Sequence, residues 1–139
     1  MDIAKNFKPK TILLWKKVSD HPEAQRIINM FSTANVELIE HQRFPELNMS
    51  PSDALLQGKR TLMIGHTSSF IGNFDGNLGS NIHCMPYYKL VPVSNGCPYY
   101  CTYCYLAYVY RKFSPFIKIN INYDTMFKQI RKTLALSDV

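Results

Sequence analysis

The sequence lacks several features that would assign its 139 residues to a familiar class. No stretch approaches the roughly 18 consecutive apolar residues of a membrane-spanning helix. Residues 1–5 also lack the apolar core of a secretory signal peptide. Neither a GxxxxGK[ST] phosphate loop nor a GxGxxG fingerprint occurs. These absences argue against membrane, secreted and common nucleotide-binding proteins, and we expect a cytoplasmic protein without a membrane partner.

Charge is sparse as well. Charged residues make up 19% of the chain, the net charge is +6, and no five consecutive residues carry like charge. Residues 71–139 carry seven basic and three acidic groups, so most of the excess lies there. Such an excess is compatible with a polyanionic partner such as DNA. The composition alone favours ordinary solubilising charge.

The N-terminal part of the chain, residues 1–66, follows an α/β pattern. Residues 11–15 and 36–40 are short apolar runs typical of buried strands. Between them, apolar residues recur at helical spacing, and Asp20 is the expected N-cap ahead of Pro22. This βαβ order favours a right-handed crossover and parallel strands. A short helix over 51–57, opened by Ser50, and a third strand over 61–65 complete this part.

The second half alternates in the same way. Residues 67–85 are rich in glycine, asparagine and serine and are interpreted as a loop, with a turn at 75–77. Strands are predicted over 88–93 and 116–121, and a closing helix over 123–136. The 88–93 strand runs directly into a cysteine-rich segment, and active sites of α/β folds lie at such strand ends.

Cysteine occurs in one short part of the chain and is absent before position 84 and after position 104. The four cysteines are Cys84, Cys97, Cys101 and Cys104. A disulfide scaffold would distribute its cysteines to link distant segments. The clustering therefore indicates metal or redox chemistry.

Cys97, Cys101 and Cys104 form a CxxxCxxC pattern with an aromatic residue, Tyr103, before the last cysteine. Three thiolates on one loop can hold three irons of a [4Fe–4S] cluster and leave the fourth iron open. The amine and carboxylate of S-adenosylmethionine can chelate that iron. Reduction of the cluster would then cleave a C–S bond of the cofactor and give a 5′-deoxyadenosyl radical.

Two other interpretations of the cysteines stay open. Cys84, with or without His83, could complete a zinc site, although only residues 101–104 have the CxxC form of a zinc knuckle. The cysteines could also be buried without any ligand. The spacing, the aromatic residue and the strand-end position together favour iron–sulfur over both.

Residues 95–106, Asn-Gly-Cys-Pro-Tyr-Tyr-Cys-Thr-Tyr-Cys-Tyr-Leu, resemble the cluster loop of radical S-adenosylmethionine enzymes. More narrowly, they are similar to the spore photoproduct lyase family, whose loop reads Gly-Cys-x-x-x-Cys-x-Tyr-Cys-Tyr/Ile-Leu. Residues 115–122 resemble that family's second barrel strand, and residues 19–22 and 60–64 resemble its N-terminal segment. The CxxxCxxC pattern is specific for the superfamily, whereas the assignment to the lyase family depends on Tyr105, Leu106 and the flanks.

The resemblance implies a role for each site residue. Cys97, Cys101 and Cys104 would bind the cluster, and Tyr103 would lie near the adenine of S-adenosylmethionine. Tyr105 matches a family tyrosine implicated in relaying a hydrogen atom. Ordinary packing is the alternative for both tyrosines. Cys84 is interpreted as a packed thiol, because a fourth protein ligand would block the cofactor.

The implied architecture is α/β in two parts. Residues 1–66 would form a small βαβ layer, and 67–85 a glycine-rich loop. Residues 86–139 would be the start of a radical S-adenosylmethionine (β/α) barrel. Later strands and the family's hydrogen-donor cysteine are absent after Cys104. We therefore expect a fragment or a truncated product, with the family's activity in the intact protein.

The implied activity is that of a lyase that reverses a thymine photodimer lesion in DNA. It would need an external electron donor such as flavodoxin or ferredoxin. A radical S-adenosylmethionine enzyme with another substrate is the first alternative. The second is a zinc-stabilised nucleic-acid-binding module that uses all four cysteines.

Overall fold

A computed structural model describes residues 7–76, 85–91, 96–99, 101–103 and 116–136. The strands within them are β1 (Thr11–Trp15), β2 (Asn35–Ile39), β3 (Thr61–Gly65), β4 (Ile71–Phe74), β5 (Tyr87–Leu90) and β6 (Ile117–Asn120). The α-helices are α1 (Pro22–Met30), α2 (Pro51–Gly58) and α3 (Tyr123–Leu136), and a 3₁₀ turn spans Lys16–Val18. None of these helices is both long and apolar enough to cross a bilayer.

Four strands form a parallel sheet in the order β2-β1-β3-β6. The expected βαβ unit is confirmed, because β1 and β2 pair in parallel on either side of α1 in the chain. β3 then pairs with the opposite edge of β1. β2 therefore lies on one side of β1, and β3 and β6 lie on the other. Such a reversal in strand order is typical of open α/β folds.

One face of this sheet packs against α1 in a continuous apolar core. Its central members, Ile12, Leu62 and Ile64, have no exposed surface. Each such side chain contributes about 1.5–3 kcal/mol by leaving water. The remaining buried members are Leu14, Val18, Ala24, Ile27, Ile117 and Ile121.

The helix starts follow the sequence with one correction. Ser50 caps α2 through a hydrogen bond that its Oγ accepts from the Asp53 backbone N–H at 3.2 Å, as expected. At α1 the N-cap is His21 and not Asp20, since the imidazole Nδ1 accepts a hydrogen bond from the Glu23 N–H at 3.1 Å. Pro22 occupies the first helical position and places the cap one residue later than expected.

Part of the segment that we interpreted as a loop is a strand. Ile71–Phe74 form β4, which pairs antiparallel with β5 in a separate two-stranded sheet. β4 has only two apolar residues, so its sequence has no clear strand pattern. The strand is stabilised instead by its ladder with β5 and by the contact of the Phe74 and Tyr87 rings, whose centroids are 5.1 Å apart. Gly76 follows at φ 89°, which suits the expected turn.

The strand predicted over 88–93 is present in its first half as β5, which ends at Leu90 and pairs with β4, and residues 92–93 lie outside the described part of the chain. β6, the strand expected to accompany it in a barrel, pairs instead with β3 of the N-terminal sheet. The reason is burial: Ile117 and Ile121 belong to the core of that sheet. By backbone contacts one compact unit comprises Met1–His66 and Val93–Ile121, and a second comprises Thr67–Pro92 and Asn122–Val139. The functional division at residues 66 and 86 stays a prediction.

Polar groups collect where β1, β3 and β6 end. His66 follows β3, and its ring stands edge-on to Trp15 at 5.7 Å and to His21 at 6.4 Å between centroids. Lys118 Nζ donates to the His66 carbonyl at 3.1 Å, and the His66 N–H donates to Gln42 Oε1 at 2.8 Å. His66 Nε2 is buried without a hydrogen-bond partner among the described residues.

These surroundings disfavour the charged forms of two bases. Burial lowers the pKa of His66, and the nearby His21 and Lys118 add to the effect. Burial likewise lowers the pKa of the Lys118 ammonium. A proton on His66 therefore costs more in the folded chain than in the unfolded one.

We expect acid to destabilise the fold through His66. As the pH falls, His66 takes up a proton in the unfolded chain before it does so in the folded chain. The stability that neutral His66 contributes is therefore complete above about pH 6.5 and is lost as the pH falls toward the lower pKa of His66 in the folded chain. The urea midpoint should drop between about pH 7 and pH 5.5. His66→Gln should flatten that profile, and His41→Gln, at an exposed position, should not. An unchanged profile in His66→Gln would contradict the assignment.

Candidate functional site

The described part of the cysteine segment comprises residues 96–99 and 101–103. Gly96 lies directly against the backbone where β6 begins. A Cβ placed on it would meet the Phe116 carbonyl oxygen at 2.4 Å and Ile117 Cα at 2.6 Å. Phe116 is itself held, because its ring stacks on Phe44 at 4.8 Å between centroids. Only glycine allows this approach, so Gly96 fixes the start of the segment on the sheet.

A second anchor comes from the residue that follows α2. Lys59 is 4% exposed, and its Nζ donates a hydrogen bond to the Tyr99 carbonyl oxygen. The ammonium thereby satisfies a backbone acceptor inside the cysteine segment at the position between Cys97 and Cys101. Charge-assisted hydrogen bonds of this kind are stronger than neutral ones.

Both anchors lie at the amino edge of the parallel sheet. Phe116 and Ile117 open β6, and Lys59 stands two residues before β3. We expected the segment to follow the carboxyl end of a strand. β5 does precede it, but β5 ends at Leu90, and residues 92–95 lie outside the described part of the chain.

The two cysteines that the structure describes are free thiols. Cys97 is half-buried and Cys101 is exposed. Cys104, the third expected ligand, lies outside the described residues, as does Cys84. Among the residues that are described, no group of three or more histidine, cysteine or acidic side chains could hold a metal. Free thiols on an anchored loop have the donor chemistry that an iron–sulfur cluster needs, so the residues present fit that group.

Of the two tyrosines predicted to act at the site, the structure describes only Tyr103. Tyr103 is 89% exposed, so its ring is not packed in the protein core. Tyr105 lies outside the described residues. Its predicted role as a hydrogen relay, and that of Tyr103 beside an adenine, stay predictions.

Sequence reasoning missed the supports of this segment. Gly96 belongs to the quoted motif, yet nothing in the pattern shows that its hydrogen faces the Phe116 carbonyl. Lys59 lies far from its partner, Tyr99, along the chain and looks like an ordinary surface lysine after Gly58. Its burial is the informative feature, because lysine is almost never buried without a partner.

Comparisons with known proteins agree on one family. The family model described as spore photoproduct lyase matches residues 7–137. Among curated proteins, the chain is similar to spore photoproduct lyases from Geobacillus sp. (25% identical over 132 residues, 92% of this chain and 36% of that protein) and from Clostridium acetobutylicum (27% over 126 residues, 86% and 34%). The chain thus spans about a third of the length of these relatives.

Solved structures share the fold. A spore photoproduct lyase complexed with dinucleoside spore photoproduct has a TM-score of 0.67 at 20% identity, covering 96% of this chain and 38% of that one. A double mutant of spore photoproduct lyase with bound AdoMet and dinucleoside spore photoproduct has a TM-score of 0.66 at 21% identity, with coverages of 96% and 38%. The expected α/β fold class is confirmed.

We predict that Gly96→Ala destabilises the protein. The added methyl group meets backbone atoms of a buried strand, which cannot move aside, and the cost should be about 1–3 kcal/mol. Gly72→Ala is the matched control, because nothing lies within 4 Å of the Cβ that it adds. The free energy of unfolding in urea measures both. Equal stability of the two variants would show that the cysteine segment is not anchored through Gly96.

Proposed function

The chain belongs to the spore photoproduct lyase family, and we propose that its intact protein is a radical S-adenosylmethionine lyase that reverses a thymine photodimer lesion in DNA. The observation that carries the proposal is the CxxxCxxC segment, whose described thiols are free and whose backbone is anchored to the sheet. Because the chain spans about a third of its curated relatives, the complete reaction is proposed for the intact protein.

In this proposal Cys97, Cys101 and Cys104 hold a [4Fe–4S] cluster. A bound cluster would supply one electron to S-adenosylmethionine, and the resulting cleavage of a C–S bond would release methionine and the 5′-deoxyadenosyl radical that takes hydrogen from the lesion. The free state of Cys97 and Cys101 supports this role, since a disulfide would exclude them as ligands. The anchors at Gly96 and Tyr99 hold the backbone of residues 96–99, so the part of the segment that carries Cys97 is in place before iron binds.

The tyrosines have separate roles in the proposal. Tyr103 would lie near the adenine of S-adenosylmethionine, and its exposed ring is free of packing that would prevent this. Tyr105 relays a hydrogen atom between cofactor and protein, as the resemblance implies.

The proposal also names partners. An external one-electron donor such as flavodoxin or ferredoxin supplies the electron, and DNA carries the lesion. Solved relatives hold dinucleoside spore photoproduct, which supports a DNA lesion as the substrate class. The cytoplasm suits the free thiols, because its reducing conditions preserve them.

The cysteines allow a direct test of the cluster. We expect anaerobically purified and reconstituted protein to contain iron and sulfide. Cys97→Ala, Cys101→Ala and Cys104→Ala should each lose most of both, since each removes one of three ligands. Cys84→Ala is the control and should retain them. Iron, sulfide and zinc analysis measures the outcome, and one zinc per colourless chain, lost in Cys84→Ala, would refute the enzyme assignment in favour of a zinc module.

A second prediction concerns turnover. Orienting S-adenosylmethionine and excluding water requires walls on several sides of the cofactor. We therefore expect this 139-residue chain, once reconstituted, to release 5′-deoxyadenosine slowly or not at all under dithionite. A chain extended to the length of the matched relatives should release it readily. Equal rates would show that the additional length is dispensable for cleavage of the cofactor.

A further inference from the structure

A basic cleft opens beside the cysteine segment at the amino edge of the sheet. Its volume is about 500 Å³. Pro98, the residue directly after Cys97, forms part of its wall, so a molecule in the cleft lies beside the backbone that follows Cys97. The other lining residues are Phe7, Lys8, Pro9, Lys10, Thr33, Lys59 and Arg60.

The charge of this basic cleft has one sign. Four of its lining residues are cationic and none is acidic. Lys8, Lys10 and Arg60 are exposed. None of the three side chains forms an ion pair or hydrogen bond with another described residue. Elsewhere in the described chain, Lys16 and Arg26 each pair with a glutamate. Three unneutralised cations around one concavity attract an anion strongly.

Backbone hydrogen bonds hold two of the residues that carry these cations side by side. The Lys10 N–H donates to the Arg60 carbonyl at 2.8 Å, and the Lys10 carbonyl accepts from the Asn35 N–H at 2.9 Å. Lys10 and Arg60 therefore project from neighbouring strand starts that hydrogen bonds hold together. Thr33 adds a hydroxyl to the wall. Cations and a hydroxyl around a small concavity match the oxygens of a phosphate group.

We propose that the basic cleft binds backbone phosphates of a nucleic-acid strand and so guides DNA past the cysteine segment. The inference rests on the proposed function, which makes DNA the substrate, and it names the residues that would hold the strand. The shape of the cleft favours a strand over a protein partner. A specific protein interface uses about 20–30 residues on each side, whereas eight residues line this cleft.

The test compares two triple variants of the full chain. Lys8→Gln, Lys10→Gln and Arg60→Gln together remove the exposed charges of the cleft. Lys16→Gln, Lys17→Gln and Arg26→Gln remove the same charge elsewhere, and loss of their surface ion pairs has little effect on folding. The probe is a fluorescein-labelled 12-nucleotide oligothymidine, and the readout is its anisotropy over a range of salt concentrations. Circular dichroism verifies that all three proteins are folded.

We expect the cleft variant to bind the probe at least tenfold more weakly than the unchanged chain and the control variant. Three lost phosphate contacts should also reduce the salt slope by about 2. Equal weakening in both variants would overturn the proposal, since net charge alone would explain it. Unchanged probe binding with weakened binding of an acidic flavodoxin would overturn it as well and would assign the cleft to the electron donor. Binding is measured without any cofactor, so failure of the cluster chemistry does not affect the result.

Discussion

The absence of a side chain at Gly96 lets the cysteine segment lie on the parallel sheet. Its backbone approaches the Phe116 carbonyl more closely than any Cβ could tolerate. That approach depends in turn on β6, which stays in place because Ile117 and Ile121 are buried in the same core as β1 and β3. The position of Cys97 thus depends on apolar packing among residues that bind nothing themselves in the proposed function. Because the core is closely packed, β6 keeps one position, and the loop that lies against it at Gly96 keeps one position too.

The two edges of the parallel sheet carry different electrostatics. At the amino edge, Lys8, Lys10 and Arg60 line a cleft that has no acidic lining residue, and Asp53 borders the adjacent cavity that Lys10 and Arg60 share. At the carboxyl edge, His66 and Lys118 are partly buried, and burial lowers the pKa of each. The amino edge therefore presents exposed cationic side chains to water, where they can attract an anion, while burial at the carboxyl edge disfavours the charged forms of His66 and Lys118. This contrast favours the amino edge for a polyanionic ligand.

Local pattern predicts the elements of the N-terminal part well, because β1, α1 and β3 have apolar periodicity and recognisable starts. It fails where pairing is decided by distant residues. β4 has too few apolar residues to be recognised without β5. The sequence of β6 suits a barrel and the N-terminal sheet equally well, and the choice shows only in its ladder with β3 and in the burial of Ile117 and Ile121. Spacing predicts which thiols would bind a cluster, but the buried Lys59 that donates to their loop has no signature in the sequence.

Family membership and local geometry contribute different parts of the functional argument. The family assigns the class of reaction, which no distance among the described residues could supply. The geometry explains how a loop with an exposed Cys101 can keep a defined position, since Gly96 and Tyr99 are each tied to the start of a strand. Because both ties lie in the parallel sheet and not in any later part of a barrel, the proposal separates binding of a cluster by the cysteines from cleavage of S-adenosylmethionine. The first needs only an anchored loop with free thiols, and the second also needs walls around the cofactor.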